Sequence, residues 1–196
     1  MKKIGFILSI ILIFSIGIYP YIYFVVDWPF GLLTTKPDDL LRDPLWKLGF
    51  ILHIVPGSIA LLTGWSQFIK SFRNRKINWH RFFGKIYVIA ALLSGLGGLY
   101  SGFFASGGWV AQIGFISLAV VWLSTTSKAY LTIRHGNIDS HEKFMIYSYA
   151  ACLAAVTLRI WMPLLMGLTG DFQIAYPIVA WLCWVPNMIV ARKLTL

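Results

Sequence analysis

The chain has 196 residues, 58% of them hydrophobic and 12% charged, with a formal charge of +10. A soluble domain carries about a quarter charged residues; here apolar runs of roughly 20 residues recur instead, each long enough to cross the hydrocarbon core of a bilayer. The runs do not alternate in polarity, which excludes a transmembrane β-barrel.

Taken in chain order, the first run covers about 4–26 and follows a short basic head, Met1 to Lys3. It is longer than the apolar region of a signal peptide, and it ends in Tyr19, Tyr21, Tyr23 and Trp28 rather than in a small-residue cleavage site, so it predicts an uncleaved membrane helix with interfacial aromatics. Residues 27–47 hold Pro29, Gly31, Pro37 and Pro44 with Asp38, Asp39 and Asp43, and predict a polar loop ending in a short helix. A second helix is expected at about 48–68, a basic turn at 70–81, a third helix at 82–104 and a fourth at 110–130. After a polar loop at 131–143 come a fifth helix at 144–166 and a sixth at 174–190. The expected fold is therefore all-α: one polytopic membrane helix bundle over 1–196, with six transmembrane helices. Cys152 and Cys183 both fall inside apolar runs and read as small packing residues, not as a disulfide framework.

Lysine and arginine in the short loops set orientation. Thirteen of the 17 lie on the side of the basic turn, three on the side of residues 27–47, and Arg159 lies within a helix. Five of the seven acidic residues are on the basic-poor side. This predicts both termini in the cytoplasm and makes the positive charge a topology signal or a contact for anionic headgroups, not a nucleic-acid patch.

Small and polar residues recur at helical spacing on three helices. The stripes are His53, Gly57, Ala60, Gly64 and Gln67 on the second; His80, Gly84, Tyr87, Ala91, Gly95, Gly98 and Gly102 on the third; and His141, Met145, Ser148, Cys152, Ala155 and Arg159 on the fifth. Glycine and alanine stripes let helices approach closely in lipid. The polar members sort into two layers. His53 lies about 8 Å inside one boundary, and Arg159 about 24 Å along a helix running toward that boundary, so the two share an outer depth. Pro56 and Pro163 free the carbonyls of Leu52 and Arg159, and a cavity between broken helices is one reading. That makes His53 and Arg159, with Tyr100 and Gln112 nearby in depth, a candidate outer-leaflet ligand pocket. The alternative is a snorkelling arginine and a hydrogen-bonded histidine.

The inner layer holds His80 and His141, with His135, Asp139 and Glu142 close in sequence. At helix N-termini the dipole disfavours imidazolium, leaving the neutral form that binds metals. The pair reads as axial ligands of a haem, as a divalent-metal site with Asp139 or Glu142, or as helix-capping interface residues. No zinc-protease, phosphate-loop or nucleophile-elbow motif is present, and no metal-site ligand set is assigned.

The run His53-x-x-Pro56-Gly57, Ala60-Leu61-x-x-Gly64-x-x-Gln67-Phe68, His80-Arg81-x-x-Gly84-x-x-Tyr87, then His141 and Ala154-Ala155-Val156-Thr157-Leu158-Arg159 resembles an uncharacterised bacterial integral-membrane family, domain of unknown function 2306. The resemblance spans about the second to the fifth helix and implies a multi-helix protein of the bacterial cytoplasmic membrane, with no established activity. The family's aromatic-methionine pair after the last histidine stands here as Phe144-Met145. A weaker likeness is to the two-haem cytochrome b superfamily. There alternate core helices pair axial histidines, as His80 and His141 would, but the fourth helix here has no histidine, so that likeness implies one haem at most.

The leading function class is a redox or cofactor-binding membrane protein using haem b or a quinone; the alternatives are a small transporter or binding protein for an anionic solute or lipid, and a non-enzymatic assembly or scaffold protein. The lipid bilayer is the one partner common to all three.

Overall fold

The computed structural model describes the chain from Lys2 to Leu196; of the basic head, Met1 and the side chains of Lys2 and Lys3 lie outside the described residues. The described residues form helices and no strands, with α1 (Lys2–Ile18), α2 (Asp38–Arg42), α3 (Pro44–Gly64), α4 (Lys70–Arg75), α5 (Ile77–Gly102), α6 (Gly108–Arg134), α7 (Ile138–Cys152), α8 (Ala154–Thr169), α9 (Phe172–Leu182) and α10 (Val185–Leu194). Short 3₁₀ turns follow α1 at Tyr19–Phe24, precede α2 at Gly31–Thr35 and follow α3 at Trp65–Phe68. Six stretches are long and apolar enough to cross a membrane: Ile7–Phe24, Pro44–Phe68, Ile77–Gly102, Gly108–Arg134, Ile138–Thr169 and Phe172–Leu194.

Several helices begin before the apolar runs expected of them. Asp43 accepts a hydrogen bond from the Leu45 N–H at 2.9 Å, and Pro44 takes the first helical position, so α3 starts in the polar loop rather than at 48. Asn137 does the same for α7, accepting from the Ser140 N–H at 3.0 Å. The basic turn is itself mostly helical, split between α4 and the first turn of α5.

The expected single helices at 4–26, 144–166 and 174–190 are each interrupted. Pro20 ends α1 because its ring displaces the carbonyl four residues back. Pro186 stops α9 from continuing past Trp184. The fifth span breaks at Leu153 with no proline nearby; Asn187 Nδ2 instead inserts from α10 and donates to the Ala150 carbonyl at 3.2 Å. It also donates to Thr157 Oγ1 and the Cys183 carbonyl, while the Thr157 hydroxyl donates to that same carbonyl. By contrast α3 runs unbroken through Pro56, and α8 through Pro163, so each proline removes one hydrogen bond without opening the helix.

Packing is tightest between α3 and α5, which run antiparallel; α6 lies between α5 and α7, α9 sits against α6 and α8, and α1 flanks α3. The small-residue stripes are these interfaces. A Cβ on Gly57 would meet Ser94, one on Gly64 would meet Tyr149 and Tyr87, and one on Gly95 would meet Leu123.

Residues 27–43 are more than a polar loop. Leu33 and Leu41, at 2% and 5% exposure, join Trp46 in a cluster with Tyr23, Trp28, Phe50, Tyr100 and Phe104. This cap closes one end of the bundle, opposite the lysine- and arginine-rich end. Lys36 crosses it to donate to the Phe104 carbonyl, and Thr35 Oγ1 lies 3.0 Å from Ser106 Oγ. Burial pushes the Lys36 ammonium down to about 8, so at neutral pH it stays a cation held by that carbonyl.

Candidate functional site

The cap-end layer is built where α3 meets α5. His53 Nδ1 lies 3.0 Å from the Ser94 carbonyl, which selects the tautomer with hydrogen on Nδ1 and leaves Nε2 as an acceptor. The Ser94 hydroxyl returns a hydrogen bond to the His53 carbonyl at 2.6 Å, so each residue fixes the other. Gly98 admits the imidazole, because a Cβ there would sit 2.7 Å from Nδ1.

Arg159 comes from α8. One guanidinium nitrogen donates to the Ala155 carbonyl at 3.0 Å, and the planar head lies over the Tyr19 ring, 4.7 Å from its centre. It is within electrostatic reach of Tyr23 and His53. No carboxylate pairs with it: among the described residues the sole salt bridge is Arg73–Glu142. The remaining guanidinium N–H groups have no protein acceptor among the described residues. The break at Leu153 separates Arg159 from the rest of its stripe. Ser148 and Cys152 turn into the core, whereas Arg159 faces the first span.

In and beneath the cap, three buried polar atoms have no hydrogen-bond partner among the described residues: Trp28 Nε1, Trp46 Nε1 and Ser101 Oγ. The antiparallel register that sets Gly57 against Ser94 and His53 against Gly98 puts Ser101 level with Phe50. The Phe50 ring is flanked by Trp46, stacked at 5.4 Å, and Trp28, edge-on at 5.6 Å. All three atoms can donate, so this layer offers donors and a guanidinium but few acceptors. Tyr100 belongs to it, packed on Gly49 and on Phe104 at 5.2 Å, while Gln112 makes no hydrogen bond among the described residues.

At the opposite end, His141 Nδ1 is 2.8 Å from the Ala129 carbonyl, which leaves Nε2 as its open nitrogen. The Nδ1 of His80 is buried without a partner among the described residues. His80 is within electrostatic reach of His141, Arg73 and Glu142. Arg73 and Glu142 form an ion pair at 2.5 Å that ties α4 to α7. His135 and Asp139 are exposed, and among the described residues no three His, Cys, Asp or Glu side chains gather as a metal site would require.

Between the two layers lies a buried polar chain that the sequence reading did not assign. Tyr87 OH is 2.7 Å from Ser148 Oγ, which is 2.6 Å from Thr126 Oγ1, and Trp122 Nε1 donates to Tyr87 OH at 3.5 Å. Tyr87 and Ser148 already stood on the stripes; Trp122 and Thr126, four residues apart on α6, are the missing half of the pattern.

No curated protein and no solved structure matches the chain. The family described as predicted membrane protein (DUF2306) matches residues 50–195, from the second span through the sixth and so one span beyond the motif run. With six apolar spans and that match over most of its length, the chain belongs to this family of membrane proteins, whose function is unknown.

Proposed function

We propose that the chain is a multi-pass protein of the bacterial cytoplasmic membrane, with both termini cytoplasmic, and that its cap-end layer binds an anionic solute or lipid headgroup. The observation that carries this is Arg159, a guanidinium in a membrane-spanning segment with no carboxylate partner among the described residues. An intramembrane charge is costly unless matched, and such residues mark ligand sites by default. The partnerless donors of Trp28, Trp46 and Ser101 in the same half of the bundle also favour a ligand rich in acceptors.

The test is thermal stability in detergent, with and without added lipid extract, small carboxylates or quinone. Wild type should gain several degrees from one of these additions, since a ligand at about 100 times its Kd stabilises by roughly 2.7 kcal/mol. Arg159→Lys keeps the charge but loses the planar fork, and should fold with at least a tenfold weaker response. Arg159→Leu should fold at least as well as wild type and lose the response to small carboxylates and quinone, keeping only whatever lipid shift does not involve Arg159. Identical responses in all three proteins would make Arg159 a snorkelling residue and leave the scaffold reading standing.

A second reading, haem b between His80 and His141, is favoured by one observation: the Ala129 carbonyl orients His141 with Nε2 open, within electrostatic reach of a His80 whose Nδ1 is buried and has no partner among the described residues. Protein purified from haem-replete cells should then show a Soret band that either histidine-to-alanine change abolishes. A colourless wild type of full stability would reject it.

A further inference from the structure

We infer that the α4–α5 turn is a docking surface for anionic phospholipid headgroups. Lys70, Arg75, Lys76, Arg81 and Lys85 are all exposed there, and none forms an ion pair among the described residues. The one arginine that does pair, Arg73, ties α4 to α7 through Glu142, so the free cations are presented on an anchored segment. An aromatic wedge runs beside them. Trp79 stacks on Phe83 at 5.8 Å, Phe82 packs edge-on to both, and Phe72 closes on Phe83 at 6.4 Å. Trp79 and Phe82 nevertheless remain 54% and 53% exposed.

The placement decides what covers this surface. Trp79 and Phe82 lie in the first turns of the Ile77–Gly102 span, at the depth where indole and phenyl rings meet the headgroup region. Cations grouped at that depth meet lipid phosphate before any soluble partner, and the exposed rings contact acyl chains that an acidic protein or a nucleic acid would not supply. A loop that served only to orient the chain would need the charges but not the anchored helix or the aromatic wedge. The inference is independent of Arg159, which lies toward the other end of the bundle.

The test measures thermal midpoints of detergent-solubilised protein with added phosphatidylglycerol, phosphatidylcholine, inorganic phosphate, an acidic peptide or an oligonucleotide. Three proteins are compared: wild type; the triple variant Arg75→Gln, Lys76→Gln and Arg81→Gln; and a control triple that removes equal charge at the same end, Lys143→Gln, Arg192→Gln and Lys193→Gln. Phosphatidylglycerol should raise the wild-type midpoint by several degrees more than phosphatidylcholine. The α4–α5 triple should lose more than half of that difference, and the control triple should keep it. Free phosphate should give no shift, and 0.5 M salt should suppress the phosphatidylglycerol effect. Equal losses in the two triples would reduce the effect to net charge and overturn the inference. So would a shift from free phosphate alone, or one from an acidic peptide or oligonucleotide where phosphatidylglycerol gives none. If the triple does not fold, Arg75→Gln alone and the salt dependence of wild type decide in the same way; a salt-insensitive shift overturns the inference.

Discussion

Gly97→Ala is expected to be the most damaging single methyl group in the protein. A Cβ at this position would lie 2.6 Å from the His53 amide nitrogen, 2.8 Å from the Gly49 carbonyl oxygen and 2.8 Å from the Leu52 carbonyl carbon. All three are backbone atoms of α3, so no side chain can rotate away, and the two helices must separate along their closest contact. Overpacking of this kind costs about 1–3 kcal/mol, and a backbone-on-backbone clash belongs at or beyond the upper end. Separation would also lengthen the bonds between His53 and Ser94, so the effect reaches the cap-end layer. Gly84→Ala, which meets only the flexible end of Gln67 at 3.3 Å, and Gly167→Ala, which meets nothing within 4 Å, are the controls. Both should melt within a degree or two of wild type, and Gly167→Ala should gain slightly from helix propensity. A Gly97→Ala protein as stable as these controls would mean that α3 and α5 do not touch as described.

The second largest effect is expected at Ser148. Its hydroxyl is fully buried and joins Tyr87 of α5 to Thr126 of α6. Ser148→Ala removes one oxygen but strips two hydroxyls of their shared partner. Tyr87 keeps only the long contact from Trp122, and Thr126 loses its one side-chain hydrogen bond to another helix. The cost should be about 1–2 kcal/mol, above the roughly 0.6 kcal/mol average for a single side-chain hydrogen bond in a membrane protein. Thr126→Val alone should cost less, because Ser148 and Tyr87 remain paired. Ser148→Ala combined with Thr126→Val should cost less than the sum, because the second change removes a hydroxyl already orphaned by the first. Strict additivity in an SDS titration of the four proteins would show that the three hydroxyls do not act as one network.

What the sequence made legible follows from what each signal depends on. The six spans rest on local hydropathy, and the stripes through Gly57, Gly64 and Gly95 rest on helical spacing; neither needs knowledge of the neighbours. The break at Leu153 is different. Its cause is Asn187, more than thirty residues away on another helix, and nothing near Leu153 announces it. The stripe that groups Arg159 with Ser148 and Cys152 assumes an unbroken helix, so the break at Leu153 shifts its register, and Arg159 meets Tyr19 of the first span. The cap was hidden for another reason: Leu33, Leu41 and Trp46 are spread through a proline- and aspartate-rich stretch with no regular period, yet they bury together once the chain folds back. His53 and Arg159 were paired by depth alone, and the structure adds the Ser94 and Tyr19 contacts that orient each of them.

The breaks at Leu153 and Trp184 fall side by side and are stitched together by Asn187 and Thr157. Below the joint, α7 and α10 pack on each other; above it, α8 and α9 form a hairpin through Gly170 and Asp171. The last two spans therefore share one joint, and a single asparagine side chain spans it. Arg159 stands on the α8–α9 hairpin, whose α9 is seated on α6, whereas His53 stands on the α3–α5 pair. The distance between the membrane charge and the histidine is thus set by how two separately packed units meet, with the first span between them as the shared neighbour.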